Sequence, residues 1–100
     1  MLTEQGVERG GGIGVSVPVG VTATRVLSKN SARRAFLLVN VSDTDIYLAF
    51  DAAPVLLSGI PLLANGGHFG QDGEQGYLWQ GDIFAICSIA AKTVAGMEFL

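Results

Sequence analysis

RRAFLLVNVSDTDIYLAF, residues 33–50, is the stretch whose reading decides the fold. In residues 34–41 both parity classes are apolar: Ala35, Leu37, Val39 and Val41 fall on one side, Phe36 and Leu38 on the other. Alternate side chains leave opposite faces of a strand, so this pattern predicts a strand buried on both faces. Residues 45–50 then place Ile46, Leu48 and Phe50 inward, with Tyr47 and Ala49 opposite. Ser42, Asp43 and Thr44 supply the turn, because short hydroxyl and carboxylate side chains bond to their own backbone there. The stretch reads as a hairpin at the centre of the fold, with Leu37 and Leu48 in the core.

Outward from this centre, short strands recur between turn formers. VSVPV (residues 15–19) and VTATRVL (residues 21–27) alternate β-branched and polar residues, and Pro18 pushes the first of these strands towards a sheet edge. Residues 51–70 lose strict alternation, cut by Pro54, Gly59, Pro61 and the Asn65-Gly66-Gly67 turn, which leaves one short strand near residues 59–63. QDGEQGYLWQGD (residues 71–82) reads as a loop that presents Tyr77, Leu78 and Trp79 as a docking tooth. IFAICSI (residues 83–89) and TVAGMEFL (residues 93–100) add two strands joined by a tight turn at residues 90–92. With no helical period anywhere, the expected fold is all-β: a small β-sandwich, jelly-roll-like, of about seven or eight short strands. Residues 1–14, with the run RGGGIG, offer few side chains that could anchor them. They are expected to form a flexible arm ahead of a single domain at residues 15–100.

Composition narrows the function. A chain of 100 residues is one domain with a modest core, and only 15% of its residues are charged against 49% hydrophobic. That is too little charge to coat a monomer, so some apolar surface is expected to face a partner. Six Lys and Arg against nine Asp and Glu give a net charge of −3, which argues against nucleic acid, because counterion release needs a basic face. Residues 1–14 hold two Glu and no apolar core of the kind a signal peptide requires, and no run approaches the length of a spanning helix, so synthesis in the cytoplasm and no membrane partner are expected. The sequon Asn40-Val41-Ser42 is then simply part of the turn.

Chemistry is sparse. Nucleophilic catalysis needs a Ser or Cys within reach of a base, and the only histidine, His68, lies in a glycine-flanked stretch read as a surface loop. Cys87, the only cysteine, alternates within an apolar strand, where a thiol behaves as a small hydrophobe. Asp43, Asp45 and Asp51 match no calcium-loop spacing and serve as turn formers. Glycines 10–12 and 14 lack the Lys-Ser/Thr and helix of a phosphate loop. No enzyme activity, cofactor or metal is expected. The candidate interface residues are Arg33, Arg34, Phe36, Leu38, Tyr47, Tyr77 and Trp79. The two arginines could clamp carboxylates of a neighbouring subunit, or stand as solvated gatekeepers of the apolar strand. Tyr77 and Trp79 could close the sandwich end or, beside Gln75, Gln80 and Asp82, form a carbohydrate platform.

The pattern of residues 33–100 resembles that of small virion structural proteins of tailed bacteriophages, in the capsid decoration or cement class. An Arg-led hydrophobic strand ends in Asn and an Asp/Ser turn. GIPLLANGG (residues 59–67), a Gly-led strand GDIFAI (residues 81–86) and a terminal strand with a late glutamate, TVAGMEFL, follow. The resemblance implies a β-sandwich that binds the outer face of an assembled capsid and reinforces contacts between capsid subunits. The implied partners are the major capsid protein and the chain itself, as a dimer or trimer, and the implied location is the virion surface. A fibre-base or head–tail joining component, or a small glycan-binding β-sandwich, is the alternative.

Overall fold

The computed structural model describes residues 12–50, 56–73 and 78–100. Their strands are β1 (Gly12–Val19), β2 (Thr24–Leu27), β3 (Ala35–Asn40), β4 (Ile46–Phe50), β5 (Ile60–Leu62), β6 (His68–Asp72), β7 (Ile83–Cys87) and β8 (Lys92–Phe99). All pairings are antiparallel, in two four-stranded sheets of order β1-β8-β3-β6 and β2-β7-β4-β5. This is a β-sandwich with the strand order of a jelly roll. One long hairpin pairs β1 with β8, β2 with β7, β3 with β6 and β4 with β5, and it is rolled so that β8 also meets β3 and β7 also meets β4. Pro18 does sit on an edge strand, β1.

The central hairpin expected over residues 33–50 is not one. β3 and β4 belong to opposite sheets, and the turn between them carries the chain across the sandwich. β7 and β8 likewise face one another across the core, linked through Ala91, whose φ of 41° turns the chain in a conformation that side chains disfavour. Residues 1–11 of the expected arm lie outside the described residues. Gly12 and Gly14 belong instead to β1, paired in register with Phe99 and Met97. His68, expected in a loop, opens β6.

The core lies between the sheets, with Leu38 from β3, Ile46 and Leu48 from β4, Leu62 from β5, Ile83 and Ala85 from β7, and Val94 from β8, all fully buried. β2 keeps both Val26 and Leu27 buried because its register against β7 shifts between Arg25 and Leu27, and such a bulge turns consecutive side chains to one side. Leu37 is a correction. It was expected in the core, yet it is 40% exposed on the outer side of β3, because Phe36, Leu38 and Asn40 take the inward parity. β3 is hemmed in closely on both sides. A Cβ at Gly96 of β8 would collide with the Leu37 carbonyl oxygen, and one at Gly70 of β6 would stand 2.6 Å from the Phe36 carbonyl oxygen.

The assignment of faces is testable by urea unfolding. Leu48→Asp should yield no folded protein, since an unpaired carboxylate in the core costs several kcal/mol against a total of roughly 5–15. Leu38→Ala should cost about 2–5 kcal/mol. Leu37→Asp should retain a cooperative transition, and its failure to fold would mean that the outer side of β3 is covered within the protomer.

Candidate functional site

Two kinds of feature stand out: buried polar clasps at the ends of β3, and exposed apolar side chains on the outer side of the β1-β8-β3-β6 sheet. Arg33 precedes β3 and is only 1% exposed. Its Nε donates to Glu98 Oε2 at 2.6 Å, Nη1 donates to the carbonyls of Trp79 (2.9 Å) and Gly81 (3.1 Å), and Nη2 donates to the Ser28 carbonyl (2.7 Å). The guanidinium also lies 5.7 Å from the Phe36 ring centre. At the other end of β3, fully buried Asn40 donates to the carbonyls of Thr44 and Leu62, each at 2.8 Å, and accepts from the Ser42 amide and hydroxyl.

Three of the candidate interface residues are therefore unavailable to a partner. Arg33 is consumed by its internal bonds, and Phe36 and Leu38, at 2% and 0% exposure, face the core. Arg34 is exposed and lines, with Ala35, Asp72, Gly73 and Leu78, a depression of about 410 Å³. Tyr47 is half-buried on the outer side of β4. Trp79 is half-buried, stacked on Phe50 at 5.4 Å and 12°, with its amide donating to Gln71 Oε1 and its Nε1 to the Asp82 carbonyl. The indole covers Phe50, which in turn meets Phe36 and Phe69 at the edge of the core. Tyr77, Gln75 and Asp51 lie outside the described residues.

The apolar surplus expected to face a partner is present, but on the side of β3 that carries Leu37 and not on the side of Phe36 and Leu38. On the outer side of the β1-β8-β3-β6 sheet, Leu37, Met97 and Phe99 are 37–41% exposed. Both parity classes of residues 34–41 are apolar, so nothing within that run says which faces out. Asn40 and Glu98, polar yet on the inward parity, point the other way, and only their buried partners explain the side they take. On the other sheet Tyr47, Phe84 and Ile86 point outward but are half-buried, and Leu57, which shares a depression with Tyr47, is 84% exposed with a φ of 64°. A depression of about 320 Å³ here is lined by Thr44, Asp45, Tyr47, Leu56, Leu57 and Ser88.

The reactive residue types are dispersed. His68 is exposed, facing outward on β6, whereas Cys87 is buried on β7 of the other sheet with its Sγ 2.7 Å from the Ile89 carbonyl oxygen. Among the described residues, no group of three His, Cys, Asp or Glu could hold a metal ion, and no helix is long and apolar enough to cross a membrane. Asp45 Oδ1 accepts from the Ala64 amide, and Asp43 pairs with Lys92 at 2.8 Å. The Lys92 hydrogen bond, followed by that of the Thr44 hydroxyl, holds the Asp43 carboxyl below its ordinary value of 3.8. No family model, curated protein or solved structure matches this chain.

Two outcomes are expected. Arg33→Ala strands the Glu98 carboxylate in the interior, and should cost about 3–5 kcal/mol in urea unfolding. Lys92→Ala should return the Asp43 carboxyl towards 3.8 in a pH titration followed by nuclear magnetic resonance. Because the folded value is the lower one, the pair's contribution to stability is present above that pH and is lost as pH falls through the folded value.

Proposed function

We propose that this chain is a virion structural protein of a tailed bacteriophage, a capsid decoration or cement protein. It binds the assembled shell, associates with itself and stabilises contacts between capsid subunits without catalysis or cofactor. The observation that carries the reading is the exposure of Leu37, Met97 and Phe99 together on the outer side of the β1-β8-β3-β6 sheet, on a chain with 15% charged residues. Large exposed apolar surface marks binding to other macromolecules. The resemblance of residues 33–100 to the decoration class supports the capsid as the partner. The jelly-roll order agrees with it at the level of architecture alone, since that fold serves both viral shells and lectins.

A glycan-binding module is the second reading. It is favoured by the depression beside Tyr47, where an aromatic ring meets the Asp45 carboxylate and the Thr44 and Ser88 side chains. Trp79, whose ring is stacked on Phe50, is not its platform.

Cosedimentation with undecorated capsids separates the two. A decoration protein should pellet saturably with capsids at low salt and at roughly molar salt, because burial of apolar surface is little screened. A protein that stays in the supernatant at both, yet binds an oligosaccharide in a manner lost on Tyr47→Ala, would leave the glycan reading standing.

A further inference from the structure

We infer that the free edge of β1 is a docking site for an extended strand of another polypeptide, which joins the β1-β8-β3-β6 sheet and lays its inward side chains against the gap between β1 and β2. The inference goes beyond the proposed function and does not rest on it, since any protein segment in extended form meets the same edge. Two observations carry it: the main-chain groups that β1 leaves unpaired, and an opening into the sandwich directly beside them.

The register shows which groups these are. The carbonyls of Thr93 and Phe99 on β8 accept from the amides of Val41 and Arg34, on the side of β3. Successive residues of a strand aim their main-chain groups at opposite neighbours, so Val94, Gly96 and Glu98 turn theirs to β1, opposite Val17, Val15 and Ile13. Gly12, Gly14 and Ser16 therefore direct N–H and C=O away from β8, and among the described strands none pairs with β1 on that side. Pro18 falls in the same set, where its missing N–H costs no bond to β8. The other three edges are blunted in the ways natural sheets use. β2 is four residues with a bulge and Arg25, β5 is three residues with Pro61 at its centre, and β6 carries His68 and Asp72. β1 is eight residues long and bears no charged side chain.

The opening gives the site its selectivity. Ile13, Val15, Val17 and Val19 take the inward side of β1, yet only Val19 is fully buried, and Ile13 is 48% exposed. β2 is too short to cover the Gly12 end of β1 from the opposite sheet. A groove of about 370 Å³ is left there, lined by Ile13, Val15 and Val17 on one side and Val26 and Leu27 on the other. Lys29 and Glu98 also line it, one of each sign, so it has no preference for a charged occupant. A strand added to β1 sets alternate side chains beside Ile13 and Val15, where apolar residues fit, and main-chain bonds supply the affinity. A second copy is the poorer occupant. Eight residues at ~3.4 Å along a sheet ~10 Å deep offer roughly 270 Å² per copy when edge meets edge, short of the ~500 Å² per copy that a specific interface needs. A strand free of its own sandwich can enter the groove as well.

Hydrogen exchange of the full chain, read by nuclear magnetic resonance, tests this with a capped peptide of alternating Val and Thr flanked by lysines. In the free protein the amides of Val15 and Val17 should be protected, and those of Gly14 and Ser16 should exchange freely. The peptide should protect Gly14 and Ser16 and bind with a dissociation constant on the order of 10–100 µM, and the same peptide with a central proline should do neither. Ile13→Lys sets a charge at the groove, and Ser16→Pro removes an edge N–H but no bond to β8. Each should weaken binding at least about tenfold while the protein still melts cooperatively. Leu57→Lys, on the other sheet, should bind as the wild type does. Protection of Gly14 and Ser16 in the free protein would overturn the inference, because the edge would then be filled by the chain itself or by another copy. So would absence of binding at about 1 mM peptide, or binding that survives Ile13→Lys. If Ser16→Pro does not fold, Ile13→Lys and the Gly14 amide decide. Peptide binding by a protein that ignores capsids upholds this site and sinks the shell reading alone.

Discussion

The buried pair of Arg33 with Glu98 is the constraint on which one end of the sandwich depends. Removing a guanidinium from water is costly, and it is tolerated only where a carboxylate and further acceptors replace the lost hydration. Here the acceptors are the carbonyls of Ser28, Trp79 and Gly81. The residues before β3, those that lead into β7, and the end of β8 must therefore converge for the charge to be stable. Lys cannot substitute, because a single ammonium lacks the planar fork that reaches these groups in three directions. Asn40 performs the neutral version of this task at the far end of β3, tying it to the crossing turn and to β5. Pinned at both ends, β3 has a fixed register, and a one-residue slip would exchange its inner and outer side chains.

Local text and long-range pairing explain what could and could not be read from the residues. Most strand positions were legible because β-branched runs stand between Pro, Gly, Asn and Asp, whereas β6, His68–Asp72, lacks such a run and was read as crossing and loop. The short strand expected near residues 59–63 appears as β5, and Pro18 falls on an edge. Pairing was not legible. Ser42-Asp43-Thr44 looks like a hairpin turn because the same side-chain-to-backbone bonds serve a chain reversal within one sheet and a crossing between two. In a jelly roll the partners of β3 are β6 and β8, far along the chain, and local sequence carries no mark of them. Arg33 was misjudged for a related reason. Its partner Glu98 is 65 residues away, so the arginine read as a surface clamp when its acceptors are internal.

The same topology accounts for the exposed apolar residues on the outer side of the β1-β8-β3-β6 sheet. Each sheet has one inner face, and the sandwich core exhausts it, so any strand apolar on both sides must display the surplus outward. Residues 34–41 carry that surplus on β3, and β8 beside it matches with Ala95, Met97 and Phe99. In a monomer such a surface would invite open-ended association, and natural sheets usually carry charges to prevent it. On the proposed reading the surplus is the means of assembly.

Glycine reconciles adhesion with order. A larger residue at Gly70 or Gly96 would force β6 or β8 away from β3, and a larger one at Gly12 would displace Met97. The backbones lie close, and Met97 and Leu37 recline over Gly12 and Gly70. Asp72 and His68 on β6 and Ser16 and Pro18 on β1 give the two sides of the face unlike borders.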